Sequence, residues 1–167
     1  RDRVVGILTD DASQIVLFDT PGLLEPRYAL HRAMLHAAHQ AIAEAVKQGI
    51  PWVLVLNSDV LLAPDFVEKL LAAAEAPGHE RVGSLAGKIL RAEGENLTPT
   101  NVVDSVGLHM TRNGRHFDLG AGERDSGQYD APAEVFGVSG CAALYRTSAL
   151  EDVRISTQEP LAIYVPP

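Results

Sequence analysis

Short apolar runs alternate with stretches of four-residue periodicity along the first half of the chain. The runs RVVGILT at 3–9 and QIVLFD at 14–19 are joined by a short polar link, which predicts two antiparallel strands in a hairpin. Trp52 to Leu56 contains no polar position, as expected of a strand buried on both faces of an α/β sheet. Residues 82–90 predict a further strand.

Two amphipathic helices are predicted around that central run. Over residues 28–48 apolar side chains recur every four positions between polar ones, and Gly49 follows as a helix stop. Residues 64–75 predict a second helix, whose apolar side comprises Phe66, Leu70, Leu71 and Ala74.

The second half of the chain predicts shorter elements. Residues 91–101 are polar and predict a loop, and Asn113-Gly114 is a strong hairpin signal that predicts a β-hairpin over about 102–120. The further expectations are a Gly- and Asp-rich loop at 120–132 and, at 134–146, a strand, a Gly-bracketed turn and a second strand or the start of a helix. A helical turn at 148–153 and a terminal strand at 161–165 are expected after them.

These elements predict a single α/β domain over residues 1–167. We expect a mainly parallel central sheet with flanking helices, and the hairpin at about 102–120 projecting from one edge. The strands assigned to this sheet are 3–9, 14–19, 52–57 and 82–90.

Composition limits the classes of partner. The 167 residues carry a net charge of −8, which argues against a broad basic surface, so no nucleic-acid partner is predicted. No apolar stretch reaches the roughly 20 residues of a transmembrane helix, and a cytoplasmic location is expected. The single cysteine, Cys141, excludes an intramolecular disulfide and is expected to be a small core residue.

The first candidate site is Asp19-Thr20-Pro21-Gly22, at the end of an apolar run. A strand-end aspartate followed by a glycine suits a Mg²⁺ and γ-phosphate site, while the same residue types also form ordinary turns. The stretch RDRVVGILTDDASQIVLFDTPGLLEPRYALHRAMLHAA resembles the segment from switch I to switch II of Era-type GTPases, over residues 1 to about 38. The resemblance implies that Asp19, Thr20, Pro21 and Gly22 would sense a γ-phosphate.

A GTP site requires more than this motif. The phosphate-binding pattern G-x-x-x-x-G-K-[ST] does not occur in the sequence. Asn57-Ser58-Asp59-Val60 also departs from the guanine-reading pattern Asn-Lys-x-Asp, because it lacks the lysine and its aspartate comes one position early. The sequence therefore does not complete a GTP site.

The second candidate site is Asn57-Ser58-Asp59, after the Trp52–Leu56 run. On an extended chain Asn57 and Asp59 would place two oxygen ligands on one side, about 6–7 Å apart. Such a pair suits Mg²⁺ or Mn²⁺, which neutralises a diphosphate leaving group. The alternative is an ordinary Asx-rich turn.

The stretches VLVLNSDVLLAPDFVEKLLAAAE, VGSLAGKILRAEG and VFGVSGCAALYRTSALEDV resemble family 2 glycosyltransferases of the GT-A fold, in the rhamnosyltransferase-like branch, over about residues 36–155. The resemblance implies a metal and sugar-nucleotide site at Asn57 and Asp59. It also implies that Gly137, Ser139 and Gly140 lie near the donor sugar and the acceptor. The implied partners are a nucleoside-diphosphate sugar and a glycan acceptor, and the implied reaction is inverting.

The family also implies a downstream Glu-Asp-x-Asp motif that supplies the catalytic base. After Arg154 the only carboxylate side chain is Glu159, so no catalytic residue is assigned. We interpret the chain as a chimera, with an Era-like segment over 1–38 and a glycosyltransferase-like segment over 39–155, incomplete as a catalyst. The alternatives are an Era-like GTP-binding fragment and a non-catalytic module that self-associates along strand 3–9.

Overall fold

The computed structural model describes residues 5–9, 14–18 and 41–154. The strands are β1 Val5–Thr9, β2 Gln14–Phe18, β3 Trp52–Leu56, β4 Ser84–Ala86, β5 Ile89–Glu93, β6 Thr98–Ser105, β7 Leu108–Met110, β8 His116–Asp118 and β9 Ala142–Arg146. The helical segments are α1, residues 41–47, α2 Phe66–Ala74 and α3 Thr147–Asp152. None of the helices described is both long enough and apolar enough to cross a membrane.

The central sheet has three strands in the order β3-β9-β4, and β9 is antiparallel to both neighbours. This corrects the prediction of a mainly parallel sheet: every strand pairing in the described residues is antiparallel. β3 and β4 do run in the same direction, but β9 lies between them. An uninterrupted apolar run reports burial and not strand direction, so the sequence pattern could not reveal the insertion.

The core lies where this sheet packs against α2. Leu144 of β9 is in register with Leu54 of β3 and with Leu85 of β4, so three leucines form a row across one face of the sheet. The helix covers this row with its apolar side, which the sequence predicted correctly. The core cluster is formed by Trp52, Leu70, Ala74 and Leu144, with Leu54, Phe66, Leu71 and Leu85 packed against it.

Among the strands whose burial is described over residues 52–146, β9 is the most buried, and β3, which was predicted to be buried on both faces, is mostly half-buried. Ala142, Ala143 and Leu144 are all buried, whereas in β3 only Trp52 is buried and Leu56 is 41% exposed. The difference follows from position, because β9 has a neighbour on each side and β3 has one among the described strands.

The predicted strand 82–90 is two strands in two different sheets. β4 ends at Ala86, and β5 pairs with β6 in a separate antiparallel sheet. The chain changes sheets at Gly87, where an added Cβ would lie 2.7 Å from Cε2 of Phe66. The predicted loop 91–101 is therefore wrong: most of it belongs to the β5–β6 hairpin, whose turn lies at residues 94–97.

The predicted hairpin at 102–120 is present in a shorter form. β7 and β8 pair from Leu108↔Asp118 to Met110↔His116, around the Asn-Gly turn. The first residues of the predicted range belong to β6 instead. The sequence located the turn correctly and placed the start of the hairpin too early.

β1 and β2 form the antiparallel hairpin that the sequence predicted, in register from Val5↔Phe18 to Thr9↔Gln14. They make a separate two-stranded sheet, which corrects their assignment to the central sheet. In β2 the side chains of Ile15, Val16 and Leu17 are exposed.

α1 ends just before Gly49, the helix stop that the sequence predicted. The Gly49 N–H donates to the Val46 carbonyl at 3.0 Å and the Ile50 N–H donates to the Ala45 carbonyl at 2.9 Å, with Gly49 at φ +70°. This is the Schellman arrangement that glycine favours. The predicted helical residues 28–40, the predicted strand 161–165 and the Asp19–Gly22 motif lie outside the described residues.

Candidate functional site

The candidate site begins where β3 ends. The Asn57 N–H donates a hydrogen bond to the Cys141 carbonyl at 2.9 Å, which continues the β3–β9 ladder by one residue. Asn57, Ser58 and Asp59 are all exposed. The end of β3 therefore delivers an amide and a carboxylate side chain to the surface beside the start of β9.

The backbone at this point is not extended. β3 ends at Leu56, and Ser58 and Asp59 form a turn. The spacing of about 6–7 Å expected for Asn57 and Asp59 assumed an extended chain and does not apply, because a turn changes both the separation and the direction of the side chains. The apolar run located the end of the strand at Leu56 correctly, and the turn that follows is the Asx-rich alternative.

Asp59 is neither sealed in the core nor held by a neighbour. Within residues 41–154 its carboxylate accepts no hydrogen bond and makes no ion pair, although it precedes α2 by only a few residues. The first-turn aspartate Asp65 instead pairs with Lys69 at 2.7 Å. An exposed carboxylate without a partner retains its oxygen lone pairs for a ligand.

The predicted second half of the site is the Gly137–Gly140 segment. The Gly137 carbonyl accepts a hydrogen bond from the Leu108 N–H at 2.8 Å, and the Phe136 N–H donates to the Leu108 carbonyl at 3.1 Å. The segment thus leads from the β7–β8 hairpin to Cys141, beside Asn57. The structure brings Gly140 and Asn57 together, since Gly140 directly precedes the residue whose carbonyl bonds Asn57.

The fold does not require glycine at either end of this segment. A Cβ at Gly140 would meet no atom within 4 Å, and one at Gly137 would make only an ordinary contact of 3.5 Å with Leu108. Neither glycine has a positive φ. Ser139 between them is half-buried, and Gly140 is exposed. The absence of a side chain at Gly140 leaves open space beside the end of β3.

The surroundings of Cys141, directly before β9, disfavour the ionised form of its thiol. Burial raises the pKa of the Cys141 thiol above its ordinary value, and the negative charges of Asp59, Asp104 and Asp118 raise this pKa further. A raised pKa keeps the thiol protonated at neutral pH, so Cys141 is not suited to act as a thiolate nucleophile.

Lys88 was missed by the sequence reasoning. Its Nζ lies 2.7 Å from an oxygen of Asp125 and 2.6 Å from an oxygen of Asp130, so it holds both ends of the 125–130 loop. Lys88 lowers the pKa of the Asp125 carboxyl, and the two aspartates raise the pKa of Lys88. The signal was weak, because a lysine within an apolar run has no motif around it.

The fit of a divalent ion rests on Asn57 and Asp59. The described residues contain no cluster of three or more His, Cys, Asp or Glu side chains able to enclose a metal. Mg²⁺ is commonly held by one or two carboxylates together with substrate phosphates, and not by a cage of protein ligands alone. Asp59, which is exposed and makes no ion pair within residues 41–154, fits that mode of binding together with Asn57 two positions before it, and a diphosphate would complete the coordination.

A family model for glycosyl transferase family 2 matches residues 24–154. The chain belongs to this family. The match includes β3, α2, β4, β9 and the whole candidate site. It begins earlier than the sequence resemblance at about residue 36, so it includes part of the segment that resembles Era-type GTPases. No solved structure matches the chain.

The chain is also similar to GTPase Era proteins, over short stretches. The chain is 26% identical over 77 residues to GTPase Era of Staphylococcus epidermidis, covering 46% of this chain and 25% of the relative. It is 44% identical over 45 residues to GTPase Era of Desulfovibrio desulfuricans, covering 27% of this chain and 15% of the relative. The chain therefore spans a quarter or less of the length of these relatives.

The two similarities overlap along the chain. The family 2 model leaves only residues 1–23 and 155–167 unmatched, so a 77-residue match to GTPase Era must share residues with it. A fusion at a single point therefore remains a proposal.

Proposed function

We propose that the chain is a nucleoside-diphosphate-sugar-binding glycosyltransferase domain that uses a divalent cation, Mg²⁺ or Mn²⁺, held by Asn57 and Asp59. The family membership supports the transferase class. The observation that carries the residue assignment is the hydrogen bond from Asn57 to Cys141, because it brings the polar end of β3 and the Gly137–Gly140 segment to one surface.

In this proposal Asn57 and Asp59 orient the diphosphate, and the bound cation supplies neutralisation of the charge that develops on the leaving group. Gly140 leaves room for the donor sugar to approach the backbone closely, since no side chain fills the space beside it. Ser139 offers a hydroxyl between the two glycines. An acceptor hydroxyl would displace the diphosphate with inversion at the anomeric carbon.

The catalytic base remains unassigned. Asp125 and Asp130 are poor candidates, because Lys88 binds both carboxylates and lowers the pKa of Asp125. A general base needs a pKa near the working pH, and a lowered carboxyl pKa moves in the opposite direction. The chain is therefore proposed as a binding domain that is incomplete as a catalyst.

Isothermal titration calorimetry of the protein with UDP or dTDP, in the presence and in the absence of Mn²⁺, tests this proposal. Weak, metal-dependent binding is expected in the unchanged protein, and Asp59→Ala is expected to abolish it. Asp152→Ala is the matched control, because it removes one exposed carboxylate outside the candidate site. Absence of binding to either nucleotide, or equal binding by both variants, would contradict the metal site.

A second variant tests the donor side of the site. Gly140→Ala is expected to leave the unfolding temperature unchanged, because the added methyl group meets no atom within 4 Å. It is expected to weaken binding of an intact nucleotide sugar more than binding of the free nucleotide. Equal weakening of both ligands would show that Gly140 does not lie beside the sugar.

The matches to GTPase Era support a second proposal, that the N-terminal segment derives from a GTPase and is joined to the transferase segment near residues 36–39. Asp19, Thr20, Pro21 and Gly22 would be its γ-phosphate residues. Because the sequence lacks a P-loop, we expect no change in unfolding temperature with GTP or GDP and Mg²⁺. A GTP-specific increase would favour a functional GTP site over the transferase proposal.

A further inference from the structure

We propose that the tip of the β7–β8 hairpin binds the anionic group of an acidic saccharide acceptor, a carboxylate or a phosphate. That the ligand is an acceptor rests on the proposed transferase function. The binding surface itself follows from the charge, the geometry and the position of the hairpin.

The hairpin tip is a local concentration of positive charge in an acidic protein. Residues 109–117, HMTRNGRHF, contain two arginines, two histidines and no carboxylate, whereas the whole chain has a net charge of −8. Arg112, Arg115 and His116 are all exposed. A cationic surface attracts anionic ligands, and most of the remaining protein repels them.

The two arginines of the tip are free to bind. Neither guanidinium makes an ion pair or a hydrogen bond to any residue in the described ranges. By contrast, Arg91 pairs with Asp104 at 3.2 Å, and Arg146 donates to the Val82 carbonyl at 2.8 Å. Free guanidinium groups can bind carboxylate or phosphate oxygens in a bidentate manner.

The backbone of the tip is fixed before any ligand binds. The N–H and the hydroxyl of Thr111 both donate to the Arg115 carbonyl, at 2.8 and 2.9 Å. The Gly114 N–H donates to the Thr111 carbonyl at 3.0 Å, and Gly114 has φ +80°, which the turn requires. A fixed turn reduces the entropy lost on binding.

The same tip lines a shallow surface depression, largely open to solvent, of about 610 Å³. Its lining residues are Thr111, Arg112, Asn113, Arg115, His116 and Phe117. Phe117 is 50% exposed, and its ring centroid lies 5.1 Å from that of His109. A half-exposed ring beside two arginines offers a flat apolar surface next to the anion site, which suits a ligand with both an apolar face and a charge.

The position of the hairpin connects it to the candidate transferase site. Leu108, the first residue of β7, is hydrogen-bonded to Gly137. Arg112 follows Leu108 by four residues, which corresponds to roughly 13 Å along an extended strand at about 3.3 Å per residue. An acceptor bound at the tip would thus extend toward the donor site.

Binding of saccharides to the intact chain tests the inference. The probes are trigalacturonate, which carries carboxylates, glucose 6-phosphate, which carries a phosphate, and neutral maltotriose. At least one acidic probe is expected to bind, with affinity that falls as salt rises, and maltotriose is expected to bind more weakly. Comparison of the two acidic probes identifies which anionic group the tip prefers.

Paired variants locate the binding. The double variant Arg112→Gln with Arg115→Gln is expected to lower the affinity for the acidic probe by roughly tenfold or more, because charge-assisted hydrogen bonds are lost. Lys47→Gln with Arg81→Gln is the matched control, since it removes two exposed cations elsewhere and is expected to have little effect. Equal weakening in both double variants, or no binding of either acidic probe, would overturn the proposal.

The test is separable from the nucleotide site. Asp59→Ala is expected to lose nucleotide binding and to retain the acidic saccharide, whereas the arginine variant is expected to do the opposite. If the unchanged protein bound the acidic saccharide but no nucleotide, the transferase proposal would be refuted and the anion site would stand. A single-stranded oligonucleotide that binds the tip more tightly than either acidic saccharide would overturn the choice of ligand.

Discussion

The β3-β9-β4 sheet and the β1–β2 hairpin are both built from apolar runs, but they differ in what covers them. In the first, α2 packs on the leucine row, and Leu144 is 3% exposed. In the second, Leu17 is 45% exposed although it lies in an equally apolar sequence. The contrast shows that an apolar run does not guarantee burial.

The physical reason is the number of neighbouring elements. A strand buries both edges only when it has two partners, and a face only when another layer packs on it. β9 has two paired neighbours, whereas an isolated two-stranded hairpin is marginally stable in water. The comparison therefore predicts where stability resides.

The largest expected effect is that of Leu144→Ala. Removing the centre of the leucine row leaves a cavity under α2, and the free energy of unfolding should fall by about 2–5 kcal/mol. Leu17→Ala is the matched control and should change it by less than about 0.5 kcal/mol. Denaturant unfolding measures both, and similar losses would show that the hairpin is buried as well.

Arg146→Met should give the next effect. The Arg146 side chain donates to the Val82 and His79 carbonyls, at 2.8 and 3.1 Å, and lies 4.2 Å above the Trp52 ring. The substitution leaves these two carbonyls without their donors, so the free energy of unfolding should fall by about 1.5–3 kcal/mol. Arg154→Met, at an exposed position, should cost little. If both variants unfolded alike, the Arg146 contacts would not stabilise the sheet.

Lys88→Met extends the comparison to a loop held by charge. Lys88 lowers the pKa of Asp125. The stabilisation of the folded protein by this ion pair is therefore complete above the ordinary carboxyl pKa of about 4, and it is lost as pH falls through the lowered pKa of Asp125. At the other extreme it is lost as pH rises through the raised pKa of Lys88. The unfolding temperature of the variant should therefore lie below that of the unchanged protein at pH 7, and the two should converge as pH falls below the lowered pKa of Asp125. A constant difference across this range would assign the effect to packing.

The smallest effect concerns self-association along the hairpin. If the exposed apolar residues of β2 pair with another copy, light scattering should show an average mass that rises with concentration. Val16→Lys should reduce this rise, and Leu61→Lys, which changes another exposed apolar residue, should not. A concentration-independent monomer mass would exclude the self-associating module.

Much of the local structure was predictable from the sequence. The α2 face, the helix end at Gly49, the β1–β2 hairpin and the Asn-Gly turn each depend on neighbouring residues, and each is confirmed. The candidate site was partly predictable, since the apolar run pointed to the polar residues at its end. The relative placement of Asn57 and Gly140 and the Lys88 ion pairs were not, because both depend on residues distant in sequence.

The sequence by itself determined the apolar faces, the turns and the family, since these are properties of short segments. Only the tertiary structure decided that β9 inserts antiparallel between β3 and β4, and that Gly140 therefore lies beside Asn57. Periodicity reports which side of an element is buried, whereas strand order and direction depend on which distant segments pair.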